Sequence, residues 1–144
     1  MAELVRSALD VAQLLSAAAR PDCGAIAVFL GTTRNHHDGR RVTRLAYEAY
    51  EPMALASLAE LERHALEHFD VASCRIVHRL GDVPLAEPSV VVVVAAAHRE
   101  PAFAACRWAM NELKRRVPIW KKEHYAPGGE DWVAGMKLAD PDAD

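Results

Sequence analysis

Val90-Val91-Val92-Val93-Val94-Ala95-Ala96-Ala97-His98-Arg99-Glu100-Pro101 is the stretch on which the fold turns. An apolar run this continuous, closed by a polar turn, reads as a buried strand. The chain then passes through a basic pair into a helix. The sequence predicts that helix from Pro101, a residue suited to the first helical turn, to about Arg116. Pro118 ends it, because a residue before proline is pushed out of the α region. An extended segment, Ile119 to Tyr125, follows. His98 and Arg99 therefore sit at a strand end, Lys114 near a helix end, and Lys121 and Lys122 just past a break. Cationic side chains at element ends can converge on one anionic ligand.

At about 100° per residue, Phe103, Cys106, Met110 and Leu113 form one apolar stripe on this helix. Lys114 falls at its edge, near the line through Phe103 and Arg107. Two readings are open there. In one, the lysine stem lies on the core and the ammonium reaches water. In the other, the amine is partly desolvated, its pKa is lowered, and it is available for acid, base or nucleophile work.

The rest of the chain reads as a single domain, residues 1–144, with 1–9 and 139–144 expected to fray. The chain is 51% hydrophobic and 26% charged, which is ordinary for a soluble domain. A net charge of -3 gives no basic footprint for nucleic acid, so the cations from Arg107 to Lys122 are a local feature. No apolar run is long enough to span a bilayer. Cys23, Cys74 and Cys106 have no metal-type spacing, and all three fall in apolar stretches that read as core. With no signal peptide visible, the expected location is the cytoplasm, with reduced thiols.

In chain order, Asp10 caps a short helix, Val11 to Arg20. Cys23 to Leu30 reads as a strand, and Gly31 to Gly39 as a polar loop. Arg40 to Tyr50 alternates, with Val42, Leu45, Tyr47 and Ala49 inward. Pro52 opens a helix to about Phe69. Val71 to Leu80 is a strand, Gly81-Asp82-Val83-Pro84 a turn, and Ser89 to Ala97 the strand already quoted. Pro127-Gly128-Gly129 makes a second turn, after which Trp132-Val133 returns to the body. Strands and helices are interspersed and several strands can pair locally, so the class is α+β.

Three further patterns bear on chemistry. His64-Ala65-Leu66-Glu67-His68 matches the inverted zinc-peptidase motif. However, Leu55, Leu58, Glu62, Ala65, Leu66 and Phe69 are placed on one face and both histidines on the other, toward solvent. His36 and His37 read as a solvated loop pair. Gly31-Thr32-Thr33-Arg34-Asn35 after a strand is an ordinary turn or an anion cradle. For the cradle, glycine admits a ligand to backbone amides and Arg34 can grip a phosphate bidentately.

The motifs Gly31-Thr32-Thr33-Arg34-Asn35-His36, Tyr47-Glu48-Ala49-Tyr50, Val77-His78-Arg79-Leu80-Gly81, Ala97-His98-Arg99, Leu113-Lys114-Arg115 and Pro118-Ile119-Trp120-Lys121-Lys122-Glu123 run in a shared order, closed by Asp131-Trp132-Val133. In that order and spacing the chain resembles the catalytic (large) subunit family of molybdopterin synthase, from about Cys23 to Val133. The resemblance implies an α/β-hammerhead fold with an additional small antiparallel β subdomain. It implies conversion of cyclic pyranopterin monophosphate to molybdopterin by insertion of two dithiolene sulfurs. The sulfur would come from the C-terminal Gly-Gly thiocarboxylate of a small ubiquitin-like subunit. The large subunits would form a homodimer with a small subunit at each outer end, a heterotetramer. No cofactor, metal, nucleic acid or membrane is implied.

Carried over residue by residue, the resemblance puts catalysis on Lys114 and Lys121. It puts substrate binding on Thr32, Thr33, Arg34, His98, Arg99, Lys114, Lys121, Lys122 and Glu123, with any contact at Thr32 and Thr33 through backbone. Two other functions remain in view. One is a non-catalytic module that docks a ubiquitin-like partner through its basic segment. The other is a zinc hydrolase built on His64 and His68.

Overall fold

The computed structural model describes residues 1–126 and 129–134. Its elements are β1 (Glu3–Val5), α1 (Val11–Ala18), β2 (Ala25–Thr32), β3 (His36–His37), β4 (Arg40–Ala49), α2 (Glu51–His68), β5 (Ser73–Arg79), β6 (Gly81–Pro84), β7 (Pro88–Ala96), α3 (Arg99–Arg116), β8 (Ile119–Tyr125) and β9 (Glu130–Ala134). The valine run is the heart of a four-stranded sheet of order β1-β5-β7-β2. Successive side chains on a strand point to opposite faces, and both faces of β7 are covered. Val90, Val92, Val94 and Ala96 join the main core with α2 and α3, while Val91 and Val93 join Val77 beneath Leu14, Leu15 and Ala18 of α1. Two-sided burial explains why this strand shows no alternation. The edge strand β2 does alternate: Ala27 is buried, and Ile26, Val28 and Leu30 are exposed on the face that α1 shares.

A second sheet, β3-β4-β8-β9 with β6 also on β4, is antiparallel throughout. The α+β class holds, with a hammerhead body and an added antiparallel β subdomain. α3 joins the two. Its cap at Val117 and the proline after it turn the chain straight into β8. The Asp10 cap is also as read, its carboxylate accepting from the Gln13 N–H at 3.1 Å.

Several expectations are corrected. Residues 1–9 include β1, which pairs in parallel with β5, so that end is tied into the sheet. Gly81–Pro84 is not a turn but β6, opposite Arg44 to Tyr47. His36 and His37 are not a free loop pair. They form β3, folded back on Arg40 and Arg41 through Asp38 and Gly39 at φ 51° and 75°. Two successive positive φ values are the type I′ hairpin pattern.

α3 starts at Arg99, and its buried face is Ala102, Ala105, Cys106, Ala109, Met110 and Leu113, with Phe103 63% exposed. The stripe drawn through large residues missed the alanines, whose small side chains let the helix sit close on the sheet. The same error displaced α2, which buries Ala54, Leu58, Leu61, Glu62 and Ala65 and exposes Leu55 and Leu66. His64 is consequently not in open solvent; its ring lies 6.5 Å from that of Trp108. Cys74 and Cys106 are core thiols, which burial pushes up to about 12 and about 11, whereas Cys23 is only half-buried. The turn residues Pro127 and Gly128, and the end 139–144, lie outside the described residues.

Candidate active site

β8 puts Ile119, Lys121, Glu123 and Tyr125 on its buried face and Trp120, Lys122 and His124 on the other. Lys121 is 8% exposed and Glu123 3%. The register with β4 sets Lys121 opposite Tyr47 and Glu123 opposite Leu45, so these four side chains share a face. A register shift in β4 between Val42 and Arg44 lets Val42 and Leu45 both point inward despite their odd spacing. With Thr32, Arg34, His36 and His37 from the end of β2 and the following loop and strand, Val42, Leu45, Lys121 and Glu123 line one cleft.

Charge inside this cleft is organised around Glu123. Its Oε1 accepts the Tyr125 hydroxyl at 2.6 Å and the His37 Nδ1–H at 2.7 Å. Burial works to raise the Glu123 carboxyl. The bonds from Tyr125 and His37, and the charges of His37 and Lys121, outweigh it and leave the pKa lowered. Burial and the same carboxylate push the Tyr125 phenol up to about 12, and the Arg40 guanidinium lies 3.6 Å over its ring.

The second lysine approaches from the other side. Lys114 is half-buried in the last turn of α3. Its neighbour is His78 on β5, whose ring meets the Tyr47 ring edge-on at 5.0 Å. The His78 Nδ1–H donates to the Arg79 carbonyl at 2.8 Å, so Nε2 carries the lone pair. Burial first, and then the charge of Lys114, hold this imidazole down to about 4, so it adds no positive charge near pH 7.

Thus Thr32, Arg34, Lys121 and Glu123 meet in the cleft, with Lys114 near by through His78 and Tyr47. The remaining residues named from the sequence do not join them. Thr33 turns into the body, its N–H donating to the Glu87 carbonyl at 3.2 Å and its carbonyl accepting from Ala86. Lys122 lies across the strand, with Nζ 3.2 Å from Glu130 and 4.5 Å over the Trp132 ring. His98 and Arg99 are exposed at the start of α3. Lys114 is near the end of that helix, about 22 Å along the axis from Arg99. Gly31 serves packing, since a Cβ there would come within 2.8 Å of the Val90 side chain.

Residues 4–116 match the family described as MoaE protein. The chain is 49% identical over 121 residues to a molybdopterin synthase catalytic subunit of Culex quinquefasciatus, covering 83% of this chain and 77% of that one. The chain belongs to the MoaE protein family. A Thermoplasma volcanium molybdopterin synthase catalytic subunit is 42% identical over 90% of this chain and 95% of its own. The crystal structure of molybdopterin synthase from Staphylococcus aureus superposes with a TM-score of 0.86 at 32% identity, covering 92% of this chain and 96% of that one.

As a MoaE protein family member the chain is an enzyme of molybdenum cofactor biosynthesis. Among the described residues, no helix is long and apolar enough to cross a membrane. Sequence reasoning gave no role to His37, Tyr47, His78 or Tyr125. Tyr47 and His78 both fell inside quoted MoaE-like motifs, which was the signal available for them.

Proposed function

We propose that the cleft around Lys121 and Arg34 converts cyclic pyranopterin monophosphate to molybdopterin. The two dithiolene sulfurs come one each from the C-terminal thiocarboxylates of two small ubiquitin-like subunits, each of which leaves as the carboxylate. The observation that carries this reading is the burial of Lys121 beside Arg34 in one cleft, with Lys114 next to His78 at its back. A cyclic phosphate is an anion that a guanidinium can grip bidentately. Opening its ring makes a leaving group whose growing charge Lys121 and Arg34 can stabilise. Lys114 then serves as general acid or base, or as the amine that briefly holds the acyl end of the partner's tail. The sulfur is the partner's, so the buried thiols Cys74 and Cys106 need take no part.

His98 and Arg99 cannot reach an anion held by Lys114 and Lys121 of the same chain, since α3 separates them. They complete the site if a second copy presents its α3 start to the cleft. The exposed apolar row Ile26, Val28 and Leu30 on edge strand β2 supplies a surface for such a homodimer. With one small subunit per cleft, the assembly is a heterotetramer, placed in the cytoplasm. Incubating the purified chain with the precursor and a thiocarboxylated small subunit should yield the dithiolene product. Failure to form product, or equal product from Lys121→Ala, would overturn the assignment.

A further inference from the structure

We propose that His37 is a positioning residue for Lys121. By donating to Glu123 it fixes the buried carboxylate as the counter-charge of that lysine, and it ties the strand beyond the Arg34 loop to β8. The proposal rests on the reading of the cleft given above and assigns Glu123 a different task from substrate contact. A carboxylate inside a phosphate site opposes binding unless its charge is answered within the protein. Lys121 is the group placed to answer it. The two residues alternate on one strand, face the same cleft, and are both buried. A buried lysine needs such a partner, because a charge removed from water is costly unless it is compensated.

The geometry shows how the carboxylate is held. Both donors, the His37 ring and the Tyr125 hydroxyl, bond the same oxygen, Oε1. Two donors on one oxygen stop the carboxylate from rotating. His37 reaches Glu123 from 86 positions away in sequence, on a two-residue strand whose own pairing is with Arg40 and Arg41. Arg34 lies between two anchored points. Thr33 is bonded to Glu87 and Ala86 on one side, and the Asn35 carbonyl accepts from Val42 at 2.8 Å on the other. His37 adds the link from this hairpin to the strand that carries Lys121. Its other ring nitrogen, Nε2, lies 3.7 Å from the exposed Asp38 carboxylate, beyond hydrogen-bond distance, so the bond to Glu123 is what holds the ring.

Three variants test this: His37→Ala, His37→Asn and Tyr125→Phe. Asparagine can place an amide N–H where Nδ1–H stands. Two readouts are needed, kcat in the reconstituted sulfur-transfer assay and competitive acetylation of the Lys121 amine followed by mass spectrometry. Loss of a residue that orients a reacting group costs about tenfold or more, so His37→Ala should lower kcat by about that factor. It should also change the Lys121 acetylation rate by about threefold or more, because the amine's charged neighbour has moved. His37→Asn should recover most of both. If His37→Ala does not fold, Tyr125→Phe carries the same test by removing the other donor to Oε1. Unchanged Lys121 acetylation, or His37→Asn no better than His37→Ala, would overturn the proposal. Acetylation needs no turnover. A chain that makes no molybdopterin but shows the acetylation change loses the catalytic reading and keeps the positioning one.

Discussion

Lys121 carries an ammonium into a strand face shared with Ile119 and Tyr125, and Lys114 brings another to the edge of the α3 core contact. Lys114 is half-buried, whereas Lys121 is buried beside Glu123. We expect Lys114→Ala and Lys121→Ala each to abolish or nearly abolish sulfur transfer while leaving the complex with the small subunit intact. Lys114→Ala should keep the parent melting temperature, and Lys121→Ala should lower it, because the buried Glu123 carboxylate loses its counter-charge. Lys114→Arg separates two roles, because arginine keeps the charge and loses the titrating amine. If Lys114 transfers a proton or forms an acyl adduct, the arginine variant should be nearly as inactive as alanine. Retained turnover would make its part purely electrostatic. His78 gives a prediction of another kind. Burial, with help from Lys114 and against the bond to Arg79, takes its pKa from 6.5 to about 4. Between those values the unfolded chain binds a proton that the folded chain refuses, so stability falls as the pH drops through that window. The difference amounts to about 3 kcal/mol. In His78→Asn, whose amide can replace the Nδ1–H bond, urea titrations at pH 7 and pH 4.5 should show a smaller acid loss than in the parent chain. An equal loss would place the acid sensitivity elsewhere.

Among the elements, the β3–β4 hairpin decides how the Arg34 loop is held. Its turn depends on Gly39 at φ 75°, where an added Cβ would meet nothing within 4 Å. The cost of Gly39→Ala is therefore conformational alone, about 1–2 kcal/mol for an L-residue forced into that region. We expect a loss of that size in urea unfolding and a weaker affinity for the precursor in calorimetry. Unchanged stability would mean that the turn relaxes into another form. This hairpin also marks where sequence reading stopped. Strands with a clear pattern were legible: the alternation of Leu45, Tyr47 and Ala49, the valine run, and the extended segment after Pro118. β6 was not, because Gly81 and Pro84 carry turn signals while their partner strand β4 lies far back in the chain. The helix faces were misplaced where alanine does the packing, since a hydrophobic stripe is drawn by large residues. Lys121, Arg34 and Glu123 were named from motifs, but the bond from His37 to Glu123 exists only once a distant strand and hairpin are brought together.

For the whole molecule the telling feature is α3, an 18-residue helix with cations at both ends. Its length of about 27 Å holds His98 and Arg99 far from its own C-terminal Lys114. A basic pair in that position either does nothing for catalysis or acts on another chain's cleft. Mixing distinguishes the two cases. Lys121→Ala removes the cleft's own lysine, and Arg99→Ala removes the group lent to a neighbour. Each variant alone should be inactive as a homodimer, because every cleft lacks one part. After the two are unfolded together and refolded at equal amounts, random pairing makes half the dimers mixed. In a closed two-fold dimer each mixed pair has one cleft missing both parts and one cleft with both. Activity should therefore return to about a quarter of the parent level. If Arg99 served its own chain's cleft, every cleft in the mixture would still lack one part and no activity would return. Sedimentation velocity on the same samples checks that pairs form. Ile26→Glu, which puts a charge into the exposed row on β2, should leave monomers that neither pair nor complement.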